Sequence, residues 1–331
     1  MESIFRLAEE LRTPASPDAL GAVSRLRSPN AAVIIEWLEW CRDTRGRRES
    51  TLKSYSETMT AWLVAVGAEP ILSPSVASVA RMEDFLSRPR VGRGAGSNGS
   101  PATRAREAST LRSFYLWVFQ RGMTERNLAE LLCGPSVHNE NPRPVPDHDW
   151  MALWSDPMLD DDQRIVLGLG FYCGLRRQEI ADLRCGQITK RKIENFTRKG
   201  GGEDTFPWRE LIGVLDEAAL PFAGGIGVFV HLMRRRAADG HTDPNQRITR
   251  WESGQTLTLG VPTWFEKAGA GRYTPHQLRH SACTNMLRCG IPLHYVTRLM
   301  NHANPTVTMR YVKAGGDELR EWRRTQNAGL D

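Results

Sequence analysis

Tyr311 stands nine residues after His302 in the 331-residue chain. Upstream lie the quartet His276-Gln277-Leu278-Arg279 and, much further back, Gly174-Leu175-Arg176. A phenol holds its proton until about pH 10, so a tyrosine in water is a poor nucleophile. Surrounded by two guanidiniums and two imidazoles, it becomes a group able to attack a phosphodiester: the arginines meet the phosphate charge and the imidazoles move protons. Thr274-Pro275 predicts a helix N-cap and first-turn proline, which puts His276 in the first turn and Arg279 one turn later on the same face. A phosphate arriving there meets backbone N–H groups, an imidazole and a guanidinium together. Two plainer readings stay open. One is a surface helix with an ordinary His and Arg. The other is zinc on His276 and His280, although a metalloprotease helix needs Glu where this chain has Gln277.

The elements that must position these residues are mostly helical. Ile34, Trp37, Leu38 and Cys41 recur at helical spacing, as do Leu52, Tyr55, Met59, Trp62, Leu63 and Val66 after Ser50-Thr51, read as capping residues, until Gly67. A short helix follows around Met82, Phe85 and Leu86, then a glycine-serine loop over 91–100. A helix over 102–120 puts Ala108, Leu111, Tyr115 and Phe119 on one face, with Arg104, Arg106 and Arg112 largely off it. Residues 134–148 are proline-rich and read as a linker. Beyond it come helix, glycine break, helix and a hairpin-like stretch ending Thr205-Phe206-Pro207-Trp208. Residues 221–272 show no clear pattern, and further helices open at Pro275, Pro292 and Pro305. The expected domains are therefore a short extension (1–30), a helical unit (31–133), the linker (134–148), a second domain (149–315) and a charged tail (316–331).

Composition narrows the class without deciding it. There are 44 Lys+Arg against 38 Asp+Glu, a net charge of +6 that suits a polyanionic partner. Six cysteines, none in a C-x-x-C pair, predict free thiols, mostly buried, in a reducing compartment. The N-terminus lacks a signal pattern, and no apolar run approaches the roughly 18 residues that span a membrane. A soluble cytoplasmic protein is expected.

The run Thr274-Pro275-His276-Gln277-Leu278-Arg279-His280-Ser281, then Leu299-Met300-Asn301-His302 and Thr308-Met309-Arg310-Tyr311, closely resembles the second catalytic block of the tyrosine recombinases, the phage-integrase family. Cys173-Gly174-Leu175-Arg176-Arg177-Gln178-Glu179 looks like that family's first block. Lys199-Gly200 stands eight residues before Pro207, as the family's hairpin lysine stands before its own Pro. The resemblance covers roughly residues 31–315. Three positions depart from the family's pattern. Asn301 replaces the usual Gly, Cys173 the usual Thr, and Asn127-Leu128 an Asn-Pro. Asn tolerates left-handed backbone almost as glycine does, so the turn before His302 is expected to survive.

The resemblance implies a mainly α fold with a small β component: a helical, SAM-like core-binding domain and a mixed α/β catalytic domain. Tyr311 would attack a DNA phosphate, leaving a 3′-phosphotyrosyl link and a free 5′-hydroxyl, with neither ATP nor metal. Arg176 and Arg279 would grip the non-bridging oxygens, Lys199 would protonate the leaving 5′-oxygen, His276 would assist proton transfer at Tyr311, and His302 would hydrogen-bond the phosphate. Glu179 would hold the site together. Arg177 competes with Arg176, and Lys190 and Lys192 with Lys199. Lys53, Arg104, Arg106 and Arg112 are candidate duplex contacts, against the plain reading of a solvated face. The implied partners are double-stranded DNA sites, three further copies in a tetramer that exchanges strands through a Holliday junction, and a directionality factor. The tail would dock on a neighbouring copy. A bacterial or phage-infected cell, at the nucleoid, is the implied setting. The short residues 1–29 suggest a simple integrase of a phage or mobile element without an arm-binding domain. The alternatives are Xer-like dimer resolution, a type IB topoisomerase and a non-catalytic DNA-binding regulator.

Overall fold

A computed structural model describes residues 30–89, 99–136, 143–198, 201–218, 220–302 and 304–314. Residues 1–29, the loop residues 91–98, Lys199 and the tail 316–331 lie outside the described residues. The chain divides into two compact units, residues 1–139 and 140–331.

The first unit is helical: α1 (Ala31–Asp43), α2 (Glu49–Val66), α3 (Val79–Ser87) and α4 (Pro101–Gln120). The expected faces of α1 and α2 are buried, and Gly67 ends α2 at φ 71, a backbone that favours glycine. Ser50 and Thr51 do not cap α2, as their type suggested. The helix already starts at Glu49, whose carboxylate suits the positive end of the dipole, and Arg48 is the N-cap. In α4, Ser100 accepts the Thr103 N–H and Pro101 opens the first turn. Ala108, Leu111 and Tyr115 are buried with Phe114, Trp117 and Val118, but Phe119 is 41% exposed. Helix drift of about 40° over four residues carries position 119 past a stripe already filled by Phe114 and Val118. One polar chain runs through the aromatic core. Trp62 Nε1 donates to Tyr115 Oη (3.0 Å), which donates to the Ile71 carbonyl (3.0 Å). Lys53, Arg106 and Arg112 are exposed on this unit, and Arg104 is half-buried.

The second unit packs nine helices and one hairpin among the described residues: α5 (Asp147–Trp154), α6 (Asp161–Phe171), α7 (Arg177–Asp182), β1 (Ile193–Thr197), β2 (Glu203–Phe206), α8 (Trp208–Glu217), α9 (Ile226–Thr242), α10 (Gly254–Lys267), α11 (Pro275–Arg288), α12 (Leu293–Leu299) and α13 (Pro305–Ala314). The fold is thus mostly helical with little strand, as the resemblance implied. Helix α6 is central. Residues Ile165 to Phe171 are all buried, and the Asp160–Gln163 capping box fixes its start. Gly168 lies against the Phe229 ring of α9, and Gly170 against Leu278 of α11, so both partner helices approach closely. The strands are antiparallel, with Ile193 opposite Phe206 and Phe196 opposite Asp204, and an irregularity between them at Asn195, φ 51. The unpatterned stretch 221–272 folds as a short 3-10 turn followed by α9 and α10. Residues 143–146 lie along α11, where Val145 N–H donates to Ser281 Oγ (2.8 Å).

Replacing Gly168 by Ala drives a methyl into the Phe229 ring. We expect Gly168→Ala to lose about 1–3 kcal/mol of stability, as overpacked cores do, in thermal or urea unfolding. An unchanged midpoint would contradict this packing.

Candidate active site

Gly174 adopts φ 67 directly after α6, with Met300 and Ala282 so close that a side chain has no room. That reversal delivers Arg176 to the N-cap of α7. Arg176 is held at both ends by one carboxylate: its backbone N–H donates to Glu179 Oε2 (2.9 Å) and its Nη1 to Glu179 Oε1 (2.9 Å). Its rival Arg177 instead turns to Thr258 on α10.

Arg279, 2% exposed, enters from α11 and donates to the carbonyls of Gly174 and Met300. The reciprocal Thr274–Gln277 capping box fixes the start of that helix, so Gln277 is occupied in the cap. Arg176 Nη2 reaches the Asn301 carbonyl (3.1 Å), and Arg198 Nη2 the Leu299 carbonyl (3.2 Å). Three consecutive carbonyls at the end of α12 therefore each accept from a different arginine. Such carbonyls have no partner within their helix and carry the negative end of its dipole. Asn301, at φ 45, makes the left-handed turn expected of it and sets His302 next in line.

His302 Nδ1 shares a hydrogen bond with Thr308 Oγ1 (2.8 Å), which meets Thr297 Oγ1 (3.1 Å), so α12 and α13 orient the ring together. Tyr311, on α13, is 7% exposed. Its ring lies 6.5 Å from that of His302, nearly parallel, and 5.5 Å from that of His280, edge-on. His280 Nδ1 accepts the Arg143 N–H (3.2 Å), and its ring lies 4.5 Å from exposed His276.

Burial pushes the Tyr311 phenol above its usual value, helped by Cys283 and opposed by Arg279 and Arg310. Tyr311 is thus a phenol at rest. Burial also lowers Arg279 to about 10, with Arg176 adding repulsion, which still leaves it protonated at neutral pH. His280 and His302 are both held at about 4, by burial first and then by the neighbouring cations. Both imidazoles are neutral at pH 7.

Of the expected residues, Arg176, Glu179, Arg279, His302 and Tyr311 come together, with His276 at the edge beside His280. Lys199 lies outside the described residues, and Lys190 and Lys192 are exposed. Sequence reasoning missed Arg198 and Thr308, and weighed His280 only as a metal ligand. Thr308 had a signal: it lies three residues before Tyr311, on the same helical face. All six cysteines are free, four of them buried, with Cys133 exposed and Cys289 intermediate. Among the described residues no three His, Cys, Asp or Glu side chains gather to hold a metal ion.

The phage integrase family model matches residues 228–316, a stretch containing His276, Arg279, His302 and Tyr311 but not Arg176 or Lys199. Tyrosine recombinase XerC of Chromobacterium violaceum is 30% identical over 221 residues, covering 64% of this chain and 69% of that protein. XerC of Rhodospirillum centenum is 27% identical over 310 residues, 88% of this chain and 85% of that one. Among solved structures, lambda integrase shares the fold. A dimer bound to a COC′ core site gives TM-score 0.59 at 12% identity, over 86% of this chain and 95% of that chain. A tetramer bound to a Holliday junction gives 0.57 at 12%, over 87% and 79%.

The two depressed histidines carry a pH signature. Their folded values near 4 lie below the ordinary 6.5, so on acidification the unfolded chain takes up protons first. Their contribution is whole above about pH 6.5 and is lost as pH falls towards 4. We expect unfolding free energy to drop across that window, and to drop less steeply in His280→Gln and His302→Gln. Identical slopes in wild type and variants would show that neither ring is held neutral.

Proposed function

The chain belongs to the tyrosine recombinase family of DNA breaking and rejoining enzymes, and from that premise we propose that it is a site-specific integrase or excisionase of a phage or mobile element. Its nucleophile is Tyr311. The observation that carries this reading is the gathering of Arg176, Arg279 and His302 around the end of α12, with Tyr311 buried beside His302.

The chemistry follows from the resting charges. The Tyr311 oxygen attacks the scissile phosphorus as its proton passes to His276. The bond to the 5′-oxygen breaks, and Lys199 protonates that leaving oxygen. The products are a 3′-phosphotyrosyl link and a 5′-hydroxyl, with no net loss of bond energy. Arg176 and Arg279 hold the non-bridging oxygens, whose charge grows in the five-coordinate transition state, and guanidiniums do so without deprotonating. His302, oriented through Nδ1 by Thr308, donates to the same phosphate. Attack by the 5′-hydroxyl of a partner strand reverses the steps and exchanges strands. Repeated on the second strand pair, this passes through a Holliday junction within four copies on two sites. The lambda integrase tetramer of the same fold supports that assembly.

Unit 1 would be the core-binding domain, with Lys53, Arg104, Arg106 and Arg112 towards the backbone of the duplex. The tail 316–331 would dock on the next copy, and a directionality factor would bias integration against excision. No helix among the described residues is long and apolar enough to cross a membrane; action at the nucleoid is part of the proposal. A second reading, Xer-like dimer resolution, is favoured by the likeness to the XerC proteins. The trapped target separates the two: a chromosomal dimer site or a mobile-element junction.

The test traps protein on nicked DNA drawn from a genomic pool, followed by sequencing of the linked fragments. Wild type is expected to become covalently attached at a defined site and Tyr311→Phe to lose attachment completely. No linkage by wild type on any DNA would overturn the recombinase reading.

A further inference from the structure

Arg198 is the one guanidinium of the cluster that the family's catalytic pattern does not call for. It is 4% exposed, at the end of β1 and directly before Lys199 in the chain. Its Nε donates to Asp204 Oδ2 across the hairpin (2.9 Å), its Nη2 to the Leu299 carbonyl (3.2 Å), and its Nη1 lies 3.7 Å from Glu179 Oε2. Its guanidinium also lies over the rings of Phe196 (4.7 Å) and Phe206 (5.5 Å), one on each strand. A buried cation is tolerated only when paired, so a hairpin needing nothing but packing would carry an apolar residue here.

We propose that Arg198 is a positioning residue for the phosphate grip, locking the hairpin, Glu179 and the end of α12 into one frame so that Arg176 keeps charge to spare for the scissile phosphate. The proposal rests on the recombinase reading above. Glu179 faces Arg176 at 2.9 Å and Arg198 at 3.7 Å, so both guanidiniums draw on its single negative charge. Among the described residues three guanidiniums (Arg176, Arg198, Arg279) meet two carboxylates (Glu179, Asp204), an excess of one positive charge that an anion can meet. Without Arg198, Glu179 has one guanidinium fewer beside it, and Arg176 is drawn more fully into its ion pair with that carboxylate. The Leu299 carbonyl also loses its tether, three residues before His302.

The test uses the DNA site recovered by covalent trapping, synthesised with either a natural scissile phosphate or an uncharged methylphosphonate at that position. With the natural phosphate, Arg198→Met is expected to bind DNA as wild type does but form the covalent complex about 10- to 100-fold more slowly, the scale of a misplaced reacting group. Arg198→Lys, which keeps the charge but not the fork, is expected to recover part of that loss. With the methylphosphonate there is less charge to grip, so the gap between wild type and either variant is expected to narrow. Should Arg198→Met fail to fold, Arg198→Lys carries the same comparison. An equal slowing on both substrates would make Arg198 a plain structural residue and overturn the proposal, as would linkage at the wild-type rate. Absence of linkage by wild type itself overturns instead the recombinase reading on which this rests.

Discussion

Three arginines from three elements converge on three consecutive carbonyls, those of Leu299, Met300 and Asn301, and the second unit is organised around that junction. Like charges brought this close repel, and burial adds the cost of lost water. The cluster persists because a helix C-terminus presents oxygens with no partner of their own, and because Glu179 sits among the guanidiniums. Arg176 ties α7 to this junction, Arg279 ties α11, and Arg198 ties the hairpin. Asn301 ends the helix and hands the chain to His302 in a single left-handed step.

The same burial that makes the cluster costly sets the protonation states the chemistry requires. Dry surroundings hold Tyr311 as a phenol and His280 and His302 as neutral imidazoles, while Arg279 stays charged although lowered. Burial therefore leaves positive charge on a guanidinium that cannot give up its proton at neutral pH, and keeps the phenol and the two buried imidazoles neutral. That division suits the phosphate-cleaving role proposed for the site. The glycines of α6 contribute from a distance. By letting α9 and α11 approach, they fix where Arg279 emerges relative to the Gly174 turn.

Local signals in the chain were legible where the governing interaction is itself local. The N-cap at Thr274, the left-handed Asn301 and the helical stripe of α1 all depend on residues within about a turn. Residues 221–272 were not legible, because long-range contacts override propensity there. Helix α10 keeps Pro262 in its interior, buried in the core, and Gly240 in α9 is required by the backbone of Cys185 pressed against it. Arg198 was hidden for a sharper reason. Strict alternation from inward Ile193 would turn residues 195 and 197 inward and 198 outward. The bulge at Asn195 inverts the phase, so that Phe196 and Arg198 are buried.

By itself the sequence determined the family and put forward the nucleophile and the residue types proposed to meet a phosphate, because a phenol, guanidiniums and imidazoles at set spacings carry their chemistry wherever they lie. The Gly-Leu-Arg phase already favoured Arg176 over Arg177, and the tertiary structure supplies the reason, since the turn at Gly174 aims one at the end of α12 and the other at α10. The tertiary structure alone decided that a third arginine belongs there and that the tyrosine rests protonated. Those outcomes depend on packing between segments more than a hundred residues apart, and no spacing along the chain encodes the dielectric such packing creates.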